Sequence, residues 1–273
     1  MAITTQDGLL AAMGGSQKLQ WNKANVTAVA GRACSVWSGT GRPGVGSTTL
    51  GQAAAGVVPV DSDTGFHSFT NPSGGQLSYL GGASGISAAS GLIIIYDVLW
   101  VWGSGGSGWV VTTTTAQNTT SPAALTRPDA NGAATEAWLE ILATMGAGAA
   151  TPVLSYTDQS GNSGNTTSSP MITSYAASSI IGSCYSFPLA APDTGLRTVQ
   201  SLTLSVSMTS GTARVMICRR VAEIPCTANQ GFKYDAYDLG LPRVYDDAAL
   251  MPIFVPNSTA SGPLILSLDL VQG

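Results

Sequence analysis

Residues 38–51, SGTGRPGVGSTTLG, carry the spacing of a phosphate-binding loop: Gly41, four residues, then Gly46-Ser47-Thr48. Such a loop needs a lysine after its last glycine to reach the β- and γ-phosphates, and a Ser or Thr to hold magnesium. Here the lysine position is Ser47, and the nearest base is Arg42. The residues that follow, TTLGQAAAG, make only a weak helix interrupted by glycine, where a phosphate loop requires a firm one. The stretch reads as a loop without a nucleotide.

The carboxylates offer little more. Asp61-Ser-Asp63-Thr-Gly65 starts like a calcium loop, but the twelfth position, where a bidentate Glu belongs, is Pro72. An Asp/Gly-rich surface turn is the better reading, with a calcium site at Asp61 and Asp63 left open. Glu136 and Glu140 lie on one face of a strand with Trp138 between them. At about 3.3 Å per residue they are roughly 13 Å apart, too far for glycosidase carboxylates, which stand about 5–9.5 Å apart. Asp246-Asp247 are neighbours that face solvent or cap a turn.

His67 is the single histidine, set between Phe66 and Phe69, and no GxSxG elbow supports a triad around it. It reads as a partly buried structural residue. Cys34, Cys184, Cys218 and Cys226 form no CxxC pair and read as free, buried thiols. The sequence therefore nominates no catalytic, cofactor-binding or metal-binding residue, and no cofactor. The expectation is a protein that is not an enzyme.

The elements that carry these residues are mostly strands. A short N-terminal helix is predicted, capped by Thr5, with Asp7 in its first turn, an apolar face of Leu9, Leu10 and Met13, and a stop at Gly14-Gly15. Strand-like runs follow at residues 26–30, 34–37 and 76–80, and the strongest is the apolar run 92–102. Residues 103–108, GSGGSG, break the chain as a linker or the tip of a wide loop. Beyond them, residues 134–142 alternate with Ala137, Leu139 and Ile141 on one face. Residues 153–157 and 164–168 flank a hairpin turn, DQSGNS. Residues 197–208, 213–221 and 264–270 complete the set. Residues 227–250 read as a long structured loop with a helical turn at 246–250. The expected fold is all-β, a β-sandwich or jelly-roll-like arrangement with a short N-terminal helix and long Gly/Ser-rich loops. Three segments are expected: 1–25 as an arm or short helix, 26–120 as a β-rich N-terminal part, and 121–273 as a β-sandwich C-terminal part, the last two able to form one continuous domain.

Only 10% of the 273 residues are charged, against about a quarter in an ordinary soluble domain, so much of the surface is expected to face partners. The net charge is −4 with scattered bases, which argues against direct nucleic-acid contact. Residues 1–13 have neither a basic start nor a long apolar core, so no secretory signal is read there and synthesis in the cytosol is expected. The apolar run 92–102 is too short, and too interrupted by Asp97, for a membrane helix.

Four phrases carry a resemblance: TTQDGLLAAM at 4–13, LTRPDANGAATEAWLEI at 125–141, VLSYTDQSGNSG at 153–164 and GLPRVYDDAAL at 240–250. Together they resemble a family of tailed-bacteriophage virion proteins encoded among head and structural genes. The resemblance implies a structural part of the particle, assembled in the host cytoplasm and located in the virion. The role expected from it is that of a capsid decoration or cement protein, bound to the major capsid protein and forming a homo-oligomer, with a trimer at local threefold positions favoured. A tail or connector component, and a host-glycan-binding module using Trp and Tyr with Asp-rich loops and testable at Trp109 and Trp138, are the alternatives. The contacts are expected at apolar loop tips and Trp-bearing stretches.

Overall fold

The computed structural model describes residues 3–127, 131–146, 148, 150–168 and 181–273. Residues 128–130, inside the second of the phrases above, lie outside the described residues. The helix α1 spans Gln6–Met13 and is followed by strands β1 (Gln17–Thr27), β2 (Cys34–Ser35) and β3 (Gly41–Arg42). Next come β4 (Ser78–Ser87), β5 (Gly91–Gly103), β6 (Gln117–Asn118), β7 (Thr135–Ala143), β8 (Pro152–Asp158) and β9 (Asn165–Thr166). The chain continues through β10 (Cys184–Phe187), β11 (Leu196–Leu204), β12 (Thr212–Cys226) and β13 (Gly231–Asp235). It closes with the short helix α2 (Ala236–Leu239), β14 (Arg243–Val244), β15 (Leu250–Pro256) and β16 (Ser261–Gln272). The fold is all-β and sandwich-like, as its strand alternation and turn chemistry led one to expect. Among the described residues no helix is long and apolar enough to cross a membrane.

The chain divides into two compact units, each assembled from separate pieces. The first comprises Met1–Gly46, Val60–Asp97 and Val221–Gly273. One of its layers is an antiparallel sheet of order β13-β4-β16-β1-β3, with β14 also on β4. In β16 the residues Leu264, Leu266, Leu268 and Leu270 alternate inward, and Leu19 and Trp21 do the same in β1. They pack against Ile93 and Ile95 of β5, Phe254 of β15, and Val221 and Ile224 of β12. Each such side chain contributes about 1.5–3 kcal/mol of burial free energy. Residues 91–97 of β5 pair with all of β15, which pairs in turn with β2.

The second unit comprises Ser47–Pro59 and Val98–Arg220. Its four-stranded sheet has the order β6-β11-β8-β9. Leu154 and Tyr156 of β8 and Leu196, Val199, Leu202 and Leu204 of β11 face Ala137, Leu139 and Ile141 of β7 and Ala213, Val215 and Ile217 of β12. The spacing of three between Val199 and Leu202 departs from strict alternation because the ladder to β8 shifts register between Val199 and Ser201. Strand β7 lies between β10 and β12. The expected hairpin is present: β8 and β9 pair through Ser155 with Thr166 and Tyr156 with Asn165. Two strands run on from one unit into the other, β5 after Asp97 and β12 after Arg220.

Several expectations are corrected. Residues 17–25 are no arm: they form most of β1, paired to β16 along its length. The alternation Leu19, Trp21, Lys23 was present in the sequence, but a lysine at an inward position hid it. Of residues 34–37 only two form a strand, and Val36–Ser38 is a 3-10 turn capped by the Ser35 hydroxyl. The helical turn expected at 246–250 lies ten residues earlier, in α2, while β15 begins at Leu250. The GSGGSG stretch is a folded-back turn rather than a linker, closed by Gly105 N–H donating to the Trp109 carbonyl at 2.9 Å. The expected boundaries at residues 25 and 120 coincide with neither unit.

Candidate interaction surface

The phosphate-loop lookalike receives a cation. Lys23, fully buried, donates from Nζ to the carbonyls of Pro43 at 2.8 Å, Gly39 at 3.0 Å and Gly44 at 3.5 Å. A phosphate cradle aims N–H groups at its ligand; this loop turns carbonyls inward to an ammonium supplied by β1. Burial pulls the Lys23 pKa down to about 8. Beyond it, Gly46 and Gly65 press against the Trp37 indole, where a Cβ on either would lie within 2 Å of a ring atom. Gly65 also has φ +100°, so only glycine meets both demands.

The carboxylates singled out by type and spacing serve backbone and cross-strand partners. Asp61 Oδ2 accepts from the Phe69 N–H at 2.8 Å, and Asp63 Oδ2 from the Val60 N–H at 3.0 Å. Asp61 is buried, so this is an inward turn rather than a surface one. Asp247 accepts from the Asn71 amide at 2.7 Å, and its own N–H donates back to Asn71 at 3.0 Å. Glu136 accepts from Arg220 at 2.9–3.0 Å and from the Trp138 indole at 3.2 Å. Glu140 sits opposite Arg214 in the β7–β12 ladder and pairs with it, both side chains wholly buried. Among the described residues, no three His, Cys, Asp or Glu side chains gather as a metal-binding group.

His67 is partly buried. Its Nε2 lies 2.6 Å from the Gln20 carbonyl, and its ring meets Trp21 edge-on at 4.7 Å. Burial lowers its pKa; the Gln20 contact opposes that shift and the nearby Lys23 adds to it. None of the four cysteines is in a disulfide and all are buried, and burial pushes the Cys34 thiol up to about 12. All six tryptophans are buried as well, Trp109 and Trp138 included, so the indoles themselves are not at the surface.

Three exposed apolar side chains, Leu10, Met13 and Tyr237, stand on the two helices of the first unit; Ile86, on β4, and Ile181 are exposed as well. In α1, Thr5 caps through its hydroxyl, which accepts from the Gly8 N–H at 3.1 Å. Leu9 turns inward onto Ala236 and Val271, whereas Leu10 is 61% and Met13 42% exposed. Helix α2 starts with a capping box between Asp235 and Asp238 and ends at Gly240 in the left-handed conformation. It holds Tyr237 out at 72% exposure. Between the segments lies a hollow of about 230 Å3 lined by Ile3, Leu9, Ala236, Tyr237 and Leu241, with Thr4, Thr5 and Gln6 also lining it. The sequence reading missed Tyr237, although DAYDLG, with its Asp at both ends of a turn and a closing glycine, carried the signal. Exposed Val45, Val110 and Val206 are loop-borne. No protein-family model, curated protein or solved structure matches the chain.

Proposed function

We propose that this chain is a structural protein of a tailed-bacteriophage virion, a decoration or cement protein that binds the major capsid shell. The observation that carries the reading is an exposed apolar surface at α1 and α2 on an all-β chain with only 10% charged residues. Large exposed apolar side chains grouped on a stable body mark a surface that works by contact. Each copy would bury this surface against capsid subunits, and many weak contacts on one lattice would add up to tight, shell-stabilising attachment. A homo-oligomer, with a trimer at local threefold positions, is the arrangement that would multiply those contacts. The four phrases that resemble virion proteins, rather than any catalytic group, support this assignment. The glycan-binding alternative would stack on Tyr237, which is exposed between Asp235 and Asp238, rather than on an indole, since every indole is buried.

The test is incubation of labelled protein with expanded capsids lacking it, followed by sedimentation and heat challenge. Saturable binding at hundreds of copies per particle, with a higher disruption temperature, is expected. Failure to bind, together with normal heat resistance of particles lacking the protein, would overturn the proposal. Location at a few dozen copies or fewer in a density map would assign it to the tail or connector instead.

A further inference from the structure

The hollow beside α1 and α2 has a chemistry that selects its occupant. Its apolar walls come from Ile3, Leu9, Ala236 and Leu241, with the exposed Tyr237 also lining it; Leu10 and Met13 are exposed on α1, the helix that supplies Leu9. At about 230 Å3 it is smaller than small-molecule sites, which run to about 300–1,000 Å3. It suits one large inserted side chain. The segments that form it carry exposed carboxylates. Residues 1–17 and 234–242 contain Asp7, Asp235 and Asp238 and not one Lys or Arg, and all three carboxylate residues are exposed. Three bases adjoin these segments: Lys18 pairs with Asp269 at 2.6 Å, Arg243 lies over the Tyr245 ring at 4.5 Å, and Lys233 stands on β13 opposite Ser84.

We infer that the α1–α2 surface docks a segment of another virion protein in which an aliphatic or aromatic side chain is flanked by lysines or arginines. The apolar side chain fills the hollow under Tyr237, and its basic neighbours meet the three carboxylates. A second copy of the chain does not fit as well. A two-fold contact would set the same patch against itself, bringing like carboxylates together at a cost in affinity. This inference deepens the shell-binding reading and rests on it for the identity of the partner, though not for the chemistry of the site.

The probe is the synthetic peptide Lys-Lys-Leu-Ala-Ala-Phe-Lys-Lys, titrated into the full chain and followed by amide chemical shifts and affinity. Shifts are expected at Leu9, Leu10, Tyr237 and Leu241. Tyr237→Ala, at an exposed position that leaves the core untouched, should weaken binding about tenfold, as anchor residues do. Asp7→Asn should weaken it about two- to threefold, and raising salt from about 0.05 to 0.5 M should weaken the wild type severalfold. No saturable binding, shifts confined to other regions, or equal binding of a peptide with glutamates for lysines would overturn the site. So would concentration-dependent dimerisation abolished by Tyr237→Ala, which would assign the surface to a second copy. Expanded capsids distinguish the two levels. If wild type and Tyr237→Ala bind them equally, the site fails and the shell reading stands; if neither binds while the peptide does, the reverse holds.

Discussion

At the scale of single residues, the side chains with the most reactive chemistry have been turned to structural use by burial. Arg214 and Glu140 form an ion pair with no exposure; burial lowers the Arg214 pKa, and the Glu140 carboxylate opposes that shift. Breaking such a pair leaves one uncompensated charge, so Glu140→Ala should cost about 3–5 kcal/mol in urea unfolding. Glu140→Leu with Arg214→Met should recover most of that loss, because burying the pair was itself costly. Lys23 is a different case: carbonyl dipoles, not a carboxylate, receive its charge. Its pKa is lowered from 10.5 to about 8, so the fold disfavours the charged form relative to the unfolded chain. Stability should therefore rise as pH climbs from about 8 towards 10.5, by on the order of 2–3 kcal/mol. Lys23→Met should show no such rise when the two are compared by chemical denaturation across that range. None of these pairings was legible in the sequence. Lys23 finds its carbonyls sixteen to twenty-one residues away and Arg214 finds Glu140 at a separation of 74, and no local spacing rule reaches that far.

At the scale of elements, legibility followed the strength of local patterning. The runs that became β5, β7, β11, β12 and β16 were readable because β-branched and apolar residues recur there with period two or without break. Strand β15 was hidden by Pro252 and Pro256, which argue against a strand when read alone. Helix α2 is four residues long, so no periodicity could announce it; only its caps could. The hairpin between β8 and β9 was readable from its turn, and the structure shows why. Asp158 Oδ1 accepts from the N–H groups of Ser160 and Asn162, and Oδ2 from the Asn162 amide, each at 2.8 Å. Burial pushes the Asp158 pKa up, but these hydrogen bonds outweigh it and hold the carboxyl below its ordinary value. The stabilisation is complete above the unfolded carboxyl value, about 4, and is lost as pH falls through the native one. Asp158→Ala should lower the melting temperature by about 2–4 °C near neutrality, and that gap should close in acid. A gap that persists at pH 2 would show the turn is held by something else. Of the candidate surface, α1 was foreseen with its cap and stop, but the outward aim of Leu10 and Met13 depends on what Leu9 packs against. That contact, with Ala236 and Val271, joins parts of the chain more than 200 residues apart.

At the scale of the whole molecule, the chain keeps its cysteines and indoles inside, and only 10% of its residues are charged. The exposed edge strand β13 carries Lys233, a charge that discourages pairing with another sheet edge. The four thiols should be silent towards a disulfide reagent in the native state and react, at four equivalents, only in denaturant. Rapid native labelling of any one would show that its cover opens. The six buried indoles have an optical consequence. Emission of the folded chain should lie well to the blue, resist quenching by dissolved acrylamide, and move red by many nanometres on denaturation. Trp21 is the exception that adds information, since the imidazole of His67 touches its edge. Protonating that ring as the solution is acidified should dim one indole of the six, so the protein carries an intrinsic lamp for the ionisation of its single histidine.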